Sequence, residues 1–159
     1  MGHALLTKIL LPTLLRTADK GADVRVTALA SSAHQYTPPP EGIKFNTLKS
    51  QALGMGTTTR YGRSKLTNAL FAKELARRYP QLRTASLQPD LVTTNLANPM
   101  SDNSWIMRLA WKMYKDVVSS TYYEPIGWTG LCMPHINNSA LASKLWDWAE
   151  KELEGEKLP

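Results

Sequence analysis

Tyr61 and Lys65 stand four residues apart in TTTRYGRSKLTNALF (57–71), a stretch whose apolar spacing predicts a helix. A separation of four puts the phenol and the ammonium on one face, a turn apart. A phenol ordinarily titrates near ~10, too high to trade protons with an alcohol or a carbonyl at neutral pH. An ammonium one turn away stabilises the phenolate and brings that exchange towards the working range. Such a pair can give a proton to a carbonyl oxygen while hydride arrives at the carbon. A hydroxyl holding the carbonyl oxygen would complete the site, and a serine at a strand end suits that part. Alone, the pair is weak evidence. With six tyrosines and eleven lysines in the chain, the spacing arises by chance ~0.4 times.

The elements that must position the pair are legible around it. Thr57, Thr58 or Thr59 can cap its helix, which runs with Leu66, Ala69, Leu70, Lys73 and Leu75 towards Tyr79 until Pro80 stops it. Upstream, Ala4, Leu5, Ile9, Leu10 and Leu14 give residues 1–20 a helical period. Leu6, Leu11 and Leu15 widen its apolar face until it reaches nearly all round, the pattern of a helix buried between neighbours. Gly21 ends that helix, and VRVTALA (24–30) reads as a short strand. Residues 31–56 read as loop, RTASL (83–87) as a second strand, and 90–104 as irregular chain. WIMRLAWKMY (105–114) is amphipathic and aromatic-rich, TYYEPIG (121–127) has strand character up to Pro125, and 139–154 is a helix with Leu141, Leu145, Trp148 and Ala149 on one side. Helices alternating with strands in this way predict a parallel α/β layer. No repeat or linker divides the chain, so residues 1–159 form one domain.

Composition narrows the function classes. With 43% hydrophobic and 20% charged residues the chain can bury a core. The net charge of +6 is spread out except at Arg77-Arg78, which describes a solvated face and no nucleic-acid site. One cysteine, Cys132, rules out an internal disulfide. His3, His34 and His135 are far apart with no ligand spacing, so no metal site is expected. ALLTKILLPTLL is broken by Lys8 and Pro12, is too short to span a bilayer, and lacks the basic start and small-residue cleavage site of a signal peptide. Asn137-Asn138-Ser139 is therefore read as a chance sequon. No firm membrane signal is present, and the cytoplasm is the default compartment.

Three stretches stand in order: ALASSAH, YGRSKLTNALFAKELARRYP and SLQPDLVTTNL. Together they resemble the short-chain dehydrogenase/reductase family, most strongly its fungal members similar to retinol dehydrogenases and WW-domain oxidoreductases. YYEPIG and ASKLWDWAEKELEG are similar to the C-terminal part of that subgroup. The resemblance implies an NAD(P)-dependent oxidoreductase acting on a carbonyl or secondary alcohol of a small molecule, with fungal secondary metabolism as the setting. It implies that Tyr61 is the proton donor or acceptor, and that Lys65 binds the nicotinamide ribose and favours the tyrosinate. Ser32, the second serine of ALASSAH, would orient the substrate carbonyl. Val92 and Thr94, within Pro89–Thr94, would hold the nicotinamide carboxamide. Ser31 reads as a strand-end residue and His34 as structural.

The chain departs from the family pattern in three places. No Gly-rich turn follows a first strand, as a pyrophosphate cradle requires. Gly54 and Gly56 follow a loop and are no substitute, and the family's asparagine would fall just before Met1. Asp90 stands where the family has a glycine close against the cofactor, which implies weaker binding. Asp116-Val117-Val118 runs almost directly into Ser119–Tyr123, where relatives carry a further helix. The expected fold is therefore the C-terminal half of a doubly wound Rossmann-like parallel sheet, lacking the first βαβ cofactor-binding unit of an N-terminally truncated member. Half a sheet leaves an open strand edge and an uncovered apolar helix face, which a homo- or hetero-oligomer would cover. The alternative functions are a non-catalytic partner of a full-length relative, and an isomerase or cyclase using Tyr61 without nicotinamide.

Overall fold

The computed structural model describes residues 2–31, 33–36, 42–50, 52, 54–87 and 134–154. Along them run α1 (Gly2–Ala18), β1 (Arg25–Leu29), α2 (Ala33–Tyr36), a 3-10 turn (Phe45–Thr47), α3 (Thr57–Arg78), β2 (Arg83–Leu87), α4 (Pro134–Asn137) and α5 (Ser139–Glu152). The fold is α/β. The expected strand at 121–127 and the aromatic segment at 105–114 lie outside the described residues.

β1 and β2 pair in parallel, from Arg25 opposite Arg83 to Leu29 opposite Leu87. Parallel neighbours require a crossover, and α3 supplies it. The ladder extends at both ends, with Arg83 N donating to the Val24 carbonyl (2.9 Å) and Ala30 N to the Leu87 carbonyl (2.8 Å). Even-numbered residues of β1 thus turn their backbone groups to β2. Arg25, Thr27 and Leu29 turn theirs to the opposite edge, which no described strand covers.

α3 is the centre of the molecule. Gly62, Arg63, Leu66, Ala69, Leu70, Ala72, Glu74 and Leu75 are buried along it at helical spacing. Leu66 and Leu70 meet Ile43 from the loop and Ala142 and Leu145 from α5 in one cluster, with Phe45, Leu48, Ile136 and Trp148 packed around it. Full burial of each such leucine contributes ~2 kcal/mol. Contrary to expectation, no threonine caps this helix. Gly56 is the N-cap, without a side-chain bond, and its carbonyl accepts from Arg60 N (3.0 Å). The helix stops at Tyr79, before Pro80, where the ring would remove the next hydrogen bond.

One polar group caps α5 and another ties it to α3. Asn138 Oδ1 accepts from Leu141 N (2.9 Å), capping the helix. The carboxylate of Glu74, 1% exposed, accepts from Arg77 (2.6 and 2.9 Å), Arg78 Nε (2.8 Å) and Ser143 Oγ (3.2 Å). Arg78 goes on to Asp147 (3.0 Å) and lies over the Trp146 ring at 5.1 Å. The Arg77 hydrogen bond, outweighing the cost of burial and reinforced by Arg78, holds the Glu74 carboxyl down to about 2.

α1 differs from the expectation of a helix buried between neighbours. None of its residues is buried, and Leu6 and Leu10 are 55% and 44% exposed. One side reaches α5, where Lys8 pairs with Glu150 (3.5 Å). The other side faces a groove of about 520 Å³ along the open edge of β1, walled by Leu6, Leu10 and Leu14 across from Lys65, Asn68 and Phe71. Its wide apolar face therefore has described neighbours on one flank alone. Gly21 ends the helix as expected, at φ +84°, a left-handed conformation that costs a side-chain-bearing residue strain. The loop expectation for 31–56 is corrected by α2 and the 3-10 turn, both too short to show a hydrophobic period.

Candidate active site

Tyr61 lies in the second turn of α3, where the helix emerges from the core, and is 46% exposed. One turn on, Lys65 places Nζ 5.5 Å from the centre of the Tyr61 ring. The predicted pair is therefore assembled on one helix face, ammonium beside phenol. Lys65 Nζ also lies 3.4 Å from the Leu29 carbonyl, at the C-terminal end of β1. Asn68 Nδ2 donates to the same oxygen at 2.9 Å. The site is thus built where a strand ends against a helix face, with side chains from α3 gripping the strand.

The segment leaving β1 turns at once. Ser31 Oγ accepts from Ala33 N (3.3 Å), and the Ser31 carbonyl accepts from His34 N (3.2 Å) and meets His34 Nδ1. Ser31 is thereby spent on the turn, in keeping with a strand-end role. His34 is 5% exposed and braces that turn. Ser32, Val92 and Thr94 lie outside the described residues, as does Asp90. Of the sequence-expected site, then, the structure brings together Tyr61 and Lys65.

Asn68 was not singled out by sequence reasoning. A signal existed: positions 61, 65 and 68 are spaced four and three apart, which makes a polar stripe on one face of a helix whose other face is apolar. Among the described residues no group of three or more His, Cys, Asp or Glu could hold a metal. No described helix is long and apolar enough to cross a membrane. Toward a dinucleotide, the described residues offer the Tyr61 phenol and the Lys65 ammonium on one helix face. The strand end after β1 leads into a four-residue helix with no glycine, so it offers no pyrophosphate cradle.

No protein-family profile matches the chain. Individual proteins do. An oxidoreductase of Schizosaccharomyces pombe is 38% identical over 100 residues, 60% of this chain and 29% of that protein. The short-chain dehydrogenase/reductase drtF of Aspergillus calidoustus is 28% identical over 192 aligned positions, covering 99% of this chain and 60% of its own length. Human retinol dehydrogenase 14 is 30% identical over 173 positions, 94% of this chain and 49% of that protein. The chain therefore spans between 29% and 60% of the length of these relatives. The 192 positions aligned with drtF exceed the 159 residues here, so that relative contains positions without a counterpart in this chain. In three dimensions the chain is similar to a crystal structure of a protein from Mycobacterium paratuberculosis, with a TM-score of 0.58, 23% identity, and coverage of 96% of this chain and 56% of that one. That likeness concerns the fold. The α/β arrangement agrees with drtF and human retinol dehydrogenase 14, which match nearly the whole chain: the chain belongs to the short-chain dehydrogenase/reductase family.

Proposed function

We propose that this chain carries the proton-transfer half of an NAD(P)-dependent oxidoreductase site acting on a carbonyl or secondary alcohol of a small molecule. The observation that carries the reading is the placement of Lys65 Nζ beside the Tyr61 ring at the end of β1. A nicotinamide dinucleotide, when bound, supplies or takes the hydride. The chain's own residues handle the proton. The Tyr61 phenol gives it to the carbonyl oxygen in reduction and takes it from the alcohol in oxidation, and the Lys65 ammonium offsets the charge left on the phenolate. Ser32 is assigned the carbonyl oxygen, and Val92 and Thr94 the carboxamide, on the resemblance of their motifs. NADP and NAD are both compatible with these residues. The proposed setting, small-molecule or natural-product metabolism in the cytoplasm, rests on the resemblance to fungal members of the family alone.

Titration calorimetry with NADPH and NADP, then with the NAD pair, tests the reading. Heat of binding at up to millimolar cofactor is expected, as is turnover of a carbonyl substrate that Tyr61→Phe lowers by ~10²–10⁴-fold with the fold retained. Absence of binding by any of the four would remove this chain as a self-sufficient reductase.

A second reading is favoured by the edge of β1 that no described strand covers, where Arg25 and Thr27 direct backbone groups away from β2, near the exposed Leu6 and Leu10. A partner, either another copy or a full-length relative, would cover that edge, and the chain would then act as a binding element. Sedimentation velocity distinguishes the two. A well-folded monomer at all concentrations, unchanged by an added relative, counts against the partner.

A further inference from the structure

The carbonyl of Leu29 sits at a crossing of two demands. It belongs to an odd-numbered residue of β1 and so faces the open edge, where it has no described strand partner. Two donors from α3 reach it instead. Asn68 Nδ2, at 2.9 Å, is at the ordinary distance for an amide donor, whereas Lys65 Nζ, at 3.4 Å, is beyond the usual range. A carbonyl oxygen that already takes an amide at an ordinary distance gains less from a second donor, and an ammonium can donate three times, so Lys65 keeps donors for other partners. Lys65 meanwhile stands beside the Tyr61 ring. The strong bond to the strand end is therefore made by the amide, and the loose one by the cation that the proton chemistry needs.

From this division we infer that Asn68 is a positioning residue: it holds the Leu29 carbonyl so that the Lys65 ammonium is not drawn there and stays available to the phenol and to a ligand. The inference rests on the proton-transfer reading of Tyr61 and Lys65. Without the amide, the nearest donor to that carbonyl is Lys65, which has a short way to move to make a full hydrogen bond. The ammonium would then be shared away from Tyr61 while the strand–helix junction stayed closed. A purely structural Asn68 predicts the reverse, because its loss would loosen the junction and free the lysine.

Competitive acetylation of Lys65 with acetic anhydride at fixed pH, read by peptide mass spectrometry, separates these. In Asn68→Ala the Lys65 rate is expected to fall about fivefold, the worth of one ordinary hydrogen bond, relative to the other lysines. Asn68→Gln keeps an amide donor and is expected to return the rate towards that of the unchanged protein. An unchanged or faster rate in Asn68→Ala overturns the inference. Should the alanine variant lose its helical circular dichroism, Asn68→Leu, of similar volume and without a donor, is judged by the same criterion. The labelling needs neither dinucleotide nor turnover. A failure here leaves the proposed oxidoreductase role standing, and a failure of cofactor binding leaves this result standing.

Discussion

Replacing Glu74 by glutamine should unlatch α5 from α3 in a pH-dependent way. The carboxylate is 1% exposed and takes hydrogen bonds from Arg77, Arg78 and Ser143, the last of these from α5 itself. Its folded value of about 2 lies below the ordinary 4.5, so its ionised form is favoured by folding. That gap corresponds to ~3 kcal/mol at neutral pH. Arg77 is mostly exposed and Arg78 about a third exposed, and solvent screening brings the figure nearer ~2 kcal/mol. Because the folded value is depressed, the stabilisation is complete above about 4.5 and drains away as pH falls towards about 2. Urea unfolding of Glu74→Gln beside the unchanged protein should therefore show a deficit of ~2 kcal/mol at neutral pH. At pH ~3 less than half of that deficit should remain. A deficit below ~0.5 kcal/mol at neutral pH, or one equally large at both pH values, would refute the argument that a buried ionised carboxylate joins these helices.

Other perturbations probe the core and the caps. Leu70 is fully buried in the cluster with Ala142 and Leu145, so Leu70→Ala should cost ~2–5 kcal/mol by urea melts, and a cost under 1 kcal/mol would mean that α5 does not pack there. Asn138→Ala removes the cap on Leu141 N and should cost ~1 kcal/mol, with Asn138→Asp close to neutral; equal losses in both would deny the capping bond.

Much of this architecture is readable from residue order because it depends on local periods. Leu66, Leu70 and Leu75 repeat at helical spacing, so α3 and its buried face follow from the sequence. RTASL is a strand with the bounds the sequence suggests, after the helix that Pro80 stops. Departures occur where local pattern and tertiary context compete. The threonines at 57–59 are good caps by type, yet Gly56 takes the position, because the cap is decided by where the chain turns into the helix and not by composition. α1 is apolar nearly all round and still half exposed, because burial depends on how many neighbours arrive and not on how many faces could receive them.

The candidate site divides in the same manner. Tyr61 and Lys65 share a face by spacing alone, so the sequence by itself determined that phenol and ammonium would meet, and the order of the surrounding motifs named the family. What the phenol–ammonium pair is pinned to could not be read there. Leu29 and Asn68 are 39 residues apart, and their hydrogen bond exists because β1 and β2 are parallel neighbours with α3 crossing between them. That crossing brings the end of one strand under the polar stripe of the helix. Only the tertiary structure decided it, since a contact between distant residues depends on the packing of whole elements, which no local period encodes.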